Sequence, residues 1–115
     1  MRLTSEFWVS ALTRRLQTEG GFAAVVRRGA TEAGAVFLIL RTRAGDLSLY
    51  GPAPQADYDE ARPSERYFAP LVRIGLQEDI DSKLEREMRF DPDVWIVELE
   101  TEEEALGRLI EIRTP

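Results

Sequence analysis

The sequence predicts one mixed α/β (α+β) domain over residues 1–115, a mostly antiparallel five-stranded sheet with helices packed on both faces. Three observations carry this. Apolar residues recur every four positions over 8–16 and 76–88, but every two positions, or continuously, between them. Glycine and proline punctuate the chain at 20–21, 29–34, 45 and 51–54. The run Ala35–Leu40 is apolar on both sides, with Val36, Leu38 and Leu40 pointing one way and Phe37 and Ile39 the other. A strand of that kind needs cover on both faces. At 43% hydrophobic and 31% charged, the 115 residues have enough apolar content to build such a core.

The first element is a helix that Thr4 or Ser5 would cap, with Glu6 at its positive end and Arg14 and Arg15 near its negative end. Trp8, Leu12 and Leu16, widened by Val9 and Ala11, make its buried stripe, and Gly20-Gly21 ends it. Strands follow at 22–28, 35–43 and 47–50, separated by turn-like stretches at 29–34 and 43–46. They read as an antiparallel meander with 35–43 in the middle. Gly51-Pro52-Ala53-Pro54 closes it, because proline cannot donate to a ladder. Residues 55–66 form a long acidic loop, and a loop of that length in a small domain is either functional or mobile. Tyr67–Leu76 resumes as a strand, with Pro70 marking an edge or a bulge. A polar helix over 78–89 carries the stripe Leu76, Ile80, Leu84 and Met88, and the acid-before-base pairs Asp79–Lys83 and Glu85–Arg89. Asp91-Pro92-Asp93 stops it. Val94–Leu99 is the fifth strand, and Thr101 is expected to cap a short last helix with Glu102, Glu103 and Glu104 in its first turn.

Neither histidine nor cysteine occurs. Their absence removes Ser-His-Asp and Cys-His relays, the ordinary zinc sites, disulfides and thiol redox couples. Carboxylates, arginines, three tyrosines, hydroxyls and one lysine, Lys83, remain for chemistry. The chain is acidic, with a net charge of −6, but unevenly so. Residues 1–56 hold seven arginines against four acids, a net of +3; residues 57–115 hold eight basic residues against seventeen acids, a net of −9. An acidic protein with a pI near 4.7 is a poor partner for nucleic acid, whose phosphates need a basic surface. The N-terminus has no apolar signal core, and the longest apolar run is too short to span a bilayer, so a cytoplasmic location away from membranes is expected.

Several stretches together carry a family likeness: Ser5–Leu12 with Arg14-Arg15, Phe22–Gly29, Glu32–Val36, Leu49–Pro54 and Glu85–Trp95. They resemble a small uncharacterised bacterial family, domain of unknown function 1491. The resemblance implies a single α/β domain with helices on both sides of a sheet, and it implies no activity. The chain departs from the family pattern in the 55–66 loop and after Thr101.

Three Asp-x-Asp pairs occur, Asp57/Asp59, Asp79/Asp81 and Asp91/Asp93, and paired carboxylates suit hard divalent cations. Asp79/Asp81 falls in a helix, where residues two apart diverge, and Asp91/Asp93 reads as a helix stop. Asp81-Ser82-Lys83 has the wording of a nuclease acid-x-lysine tail but lies on a helix, whereas that chemistry needs one face of a strand. No metal or cofactor is therefore expected. If strands 22–28 and 35–43 pair, Arg28 and Arg41 share a face that Tyr50 joins, making a pocket for a small anion. The 55–66 loop offers Asp57, Tyr58, Asp59 and Glu60 as a charged flap with one aromatic anchor for a protein partner. The leading expectation is a non-catalytic binding or accessory module that recognises a protein partner or a second copy of itself. A small-anion-binding enzyme or sensor at Arg28, Arg41 and Tyr50 is the alternative.

Overall fold

The computed structural model describes residues 3–54 and 66–114. Their elements run α1 (Ser5–Thr18), β1 (Phe22–Arg27), β2 (Val36–Arg41), β3 (Leu47–Pro52), β4 (Tyr67–Gly75), α2 (Gln77–Phe90), β5 (Trp95–Glu100), α3 (Glu103–Leu109) and β6 (Glu111–Ile112). The Thr4 hydroxyl accepts the Phe7 N–H and so caps α1. Gly20, at φ +88°, turns the chain out of the helix in a conformation that costs glycine nothing.

The strands form a single six-stranded sheet in the order β1-β5-β2-β3-β4-β6. This corrects the expected meander. β2 and β3 pair antiparallel, as do β3 and β4, but β1 does not pair with β2. β5 lies between them, antiparallel to β1 and parallel to β2. The physical reason is the link between β1 and β2, which does not close as a hairpin turn. It wraps instead around the start of β5: Ala30 N–H donates to the Asp93 carbonyl at 2.9 Å, and Trp95 N–H donates to the Ala35 carbonyl at 2.8 Å. The indole Nε1 of Trp95 also donates to the Ala30 carbonyl at 2.8 Å. With β5 in place, the two-faced β2 has a strand on either side.

A sixth strand was not expected. Glu111 and Ile112 add parallel to Tyr67 and Phe68, and Arg113 N–H donates to the Phe68 carbonyl at 2.7 Å. The sheet is thus mixed, with antiparallel and parallel pairs. Pro70 sits opposite Tyr50 where the β3–β4 register slips, and beyond the end of β6, which satisfies both readings of that proline.

Each face of the sheet has its own core. Val36, Leu38, Leu40, Trp95, Val97 and Leu99 pack under α1 and α3. Phe37, Ile39, Leu49 and Ile96 pack under Ile80 and Leu84 of α2. The alternation read from the 35–40 segment therefore holds, and the helices do lie on both faces. Two local details differ. Glu102, not Thr101, is the N-cap of α3, without a side-chain cap bond, and Glu103 and Glu104 occupy the first turn. Asp79 turns back to accept the Leu76 N–H at 2.9 Å, so Lys83 pairs with Glu87 at 3.5 Å and not with Asp79. Among the described residues no helix is long and apolar enough to cross a membrane.

Candidate functional site

The insertion of β5 decides the fate of the arginine pocket. Arg28 follows β1 and lies with its guanidinium 5.0 Å from the centroid of the Trp95 ring, paired with Glu6 of α1. It therefore sits on the α1 face, at the beginning of β5. Arg41 ends β2 beside Glu100, the last residue of β5, and pairs with Glu98 at 3.5 Å. By strand alternation it projects to the α2 face. Five residues of β5, about 16 Å, separate the two positions. Tyr50 is buried in the α1/α3 core. Burial pushes its hydroxyl pKa up, the nearby Glu103 carboxylate adds to the rise, and Arg73 opposes it. Arg28, Arg41 and Tyr50 are not brought together, because the expected β1–β2 pairing is replaced by β1–β5 and β5–β2.

Asp57, Tyr58, Asp59 and Glu60 lie outside the described residues. Of the 55–66 loop only Arg66 is described: its guanidinium donates to Ser5 Oγ at 2.7 Å and lies 5.7 Å from the Trp8 ring centroid. Ser5 is fully buried, and its hydroxyl in turn donates to the Gly34 carbonyl at 2.5 Å. The other acid pairs are engaged locally. Asp79 caps α2, Asp81 accepts from Gln77 Nε2 at 2.9 Å, and Asp91 accepts the Asp93 N–H at 3.0 Å. Among the described residues no group of three or more acids is placed to hold a metal ion.

Two surface features flank β1. At the Phe22 end an open cleft of about 640 Å³ lies among Glu19, Phe22, Arg41, Arg43, Glu100 and Glu102. Its two arginines face three carboxylates, and Arg43 N–H is already bonded to Glu102 at 2.8 Å. A small anion would meet as much repulsion as attraction there. Along the other side a groove of about 310 Å³ runs between α1 and β1. Ser10, Thr13 and Gln17 of α1 form one wall, Val25 the other, and Arg28 and Trp95 lie at its end. The Thr13 hydroxyl is buried there without a hydrogen-bond partner.

Among the described residues β1 is an outer strand, joined to the sheet only through β5. Phe22, Val25 and Val26 are 52%, 40% and 61% exposed, a high share for large apolar side chains on one six-residue strand. The sequence hinted at this edge. Phe22-Ala23-Ala24-Val25-Val26 is apolar at both parities yet too small to fill two cores, and it holds no lysine, acid or proline to discourage pairing.

A family model described as a protein of unknown function (DUF1491) matches residues 3–106. The chain belongs to this family. Solved structures similar to the DUF1491 chain include the following three. Protein Atu0922 from A. tumefaciens, determined in solution, is 48% identical, with 100% of this chain and 98% of that one covered and a TM-score of 0.86. A crystal structure of a DUF1491 family protein from Caulobacter crescentus CB15 is 38% identical over 85% and 87% of the two chains, with a TM-score of 0.71. An NMR structure of a DUF1491 family protein from Caulobacter crescentus CB15 is 35% identical over 98% of each chain, with a TM-score of 0.77. No curated protein matches the chain. The DUF1491 assignment agrees with the family resemblance in the sequence and brings no activity with it.

Proposed function

We propose that this DUF1491 protein is a non-catalytic binding module that receives an extended segment of a protein chain along the outer edge of β1. One observation carries the reading: among the described residues the sheet ends in a strand whose outer backbone edge has no strand neighbour and whose apolar side chains are exposed. Strand addition draws affinity from main-chain hydrogen bonds and specificity from pockets for alternate side chains. The groove between α1 and β1 supplies such a pocket, apolar at Val9 and Val25 and polar at Ser10, Thr13 and Gln17. The small-anion alternative has no equivalent support, since its three residues lie apart.

The test is selection of extended peptides from a displayed random library, followed by amide exchange on the complex. Bound peptides should protect β1 amides, and the double substitution Val25→Lys/Val26→Lys should weaken binding at least about tenfold. Peptides that protect another element, or that bind the double variant equally well, would refute the assignment.

A further inference from the structure

The β1 edge is not only open but self-complementary, and we infer that its occupant is a second copy of this chain, paired antiparallel through β1 about a twofold axis. The inference rests on the strand-addition reading above and names its partner. Antiparallel pairing of a strand with its own copy places side chains of the same sheet face together, so the centre must fall on a residue. Centred on Ala24, the pairing sets Phe22 against Val26 of the other copy and Ala23 against Val25. Phe22 and Val26 then cover one another, and Val25 lies against Ala23 of the other copy.

Charge supports the same arrangement. One end of β1 carries Arg27 and Arg28, the latter also paired with Glu6, and at the other Glu19, Glu100 and Glu102 outnumber Arg41 and Arg43. Reversal of the second copy brings each basic end against the acidic end of the other, twice per dimer. Parallel self-pairing would align like charges instead, at a cost. An anonymous extended peptide would have to match this alternation of ends, whereas a second copy matches it by symmetry. The register slip between Val25 and Arg27 leaves residues 22–25 regular and places Val26, which faces Phe22 of the other copy, at the slip itself. Because a twofold axis of this kind keeps the same face outward, a second α1 would lie alongside the first. The small residues Ser10 and Thr13 permit that approach.

Sedimentation equilibrium on the full chain at up to about 1 mM protein tests the inference. The wild type should show a monomer–dimer equilibrium that weakens as salt rises from about 0.05 to 1 M, and β1 amides should gain exchange protection as protein concentration increases. Val25→Lys/Val26→Lys should raise the dimer dissociation constant at least about tenfold. Both side chains are exposed, so the variant should fold, and an unchanged urea midpoint verifies it. The concentration-dependent protection of the wild type gives a readout independent of the variant. A monomer at all concentrations, or a dimer in which β1 stays unprotected, overturns the self-pairing. Should the monomer still bind selected peptides at β1, strand addition survives and only the identity of the partner falls; should it bind none, both fall.

Discussion

Gly29 is where the topology is most exposed to a single atom. An added Cβ would overlap the Asp93 carbonyl oxygen and lie 2.6 Å from the Val94 carbonyl carbon and 2.7 Å from Cδ1 of Trp95. Two of these neighbours are backbone and the third belongs to a buried indole, so none can swing aside. Gly29→Ala must therefore push the 29–34 segment off the start of β5. Overpacking of this kind costs about 1–3 kcal/mol. The displacement also strains two hydrogen bonds, Ala30 N–H to Asp93 and Trp95 Nε1–H to Ala30. An orphaned buried N–H adds about 1–3 kcal/mol. The expected loss is about 2–5 kcal/mol, a large part of the roughly 5–15 kcal/mol that holds a domain together. In a thermal melt followed by tryptophan fluorescence, the midpoint should fall by about 8–20 °C. Gly107→Ala is the contrasting control. That glycine lies within α3 with open space around its Cβ position, so alanine should stabilise by about 0.5–1 kcal/mol. A Gly29→Ala protein within about 0.5 kcal/mol of wild type would refute the close packing of this link on β5.

Leu38→Ala should cost about 2–5 kcal/mol in urea unfolding, since Leu38 is fully buried between two paired strands that cannot collapse into the cavity; a loss below about 1 kcal/mol would contradict its central place. Ile74 is a β-branched residue at φ +49° with its side chain largely exposed, so Ile74→Gly should raise stability by up to about 1 kcal/mol, and a destabilised variant would show that its contacts outweigh the strain. Tyr50 has a hydroxyl pKa raised above 10.0 by burial. Above that pH the unfolded chain releases the proton while the folded chain keeps it, so stability is intact below about pH 10 and declines as pH rises through the folded value. Tyr50→Phe should flatten the fall in urea midpoint as pH rises above about 10; an unchanged slope would show that Tyr50 does not govern it.

The candidate site was partly legible. The apolar character of residues 22–26 is legible in the sequence, but their place at the edge of the sheet is not, and the proximity of Arg28, Arg41 and Tyr50 depended on a β1–β2 pairing that the fold does not contain. A period-two pattern states which residues share a face of one strand; it does not state which strand lies beside it. β2 and β5 have nearly the same alternation, Val36-Phe37-Leu38-Ile39-Leu40 against Trp95-Ile96-Val97-Glu98-Leu99. Either satisfies a neighbour equally well in one dimension. The two-residue strand β6 is too short to carry any pattern of its own, and Phe68 and Arg113 reveal it only through a hydrogen bond across the sheet.

By itself the sequence determined the types of all elements but β6, the two-faced burial of residues 36–40, a helix cap at Thr4 or Ser5 and the Gly20-Gly21 stop. It also determined the lack of histidine and cysteine chemistry. These follow from local rules: helical spacing of apolar residues, hydrogen-bonding side chains at helix starts, and glycine's freedom at positive φ. Only the tertiary structure decided that β5 parts β1 from β2, that Arg28 and Arg41 face opposite ways, and that β1 is left as an open edge. Those are choices among long-range pairings whose local patterns are alike. They are settled by contacts such as Ala30 with Asp93 and Gly29 beneath Trp95, between residues more than sixty positions apart.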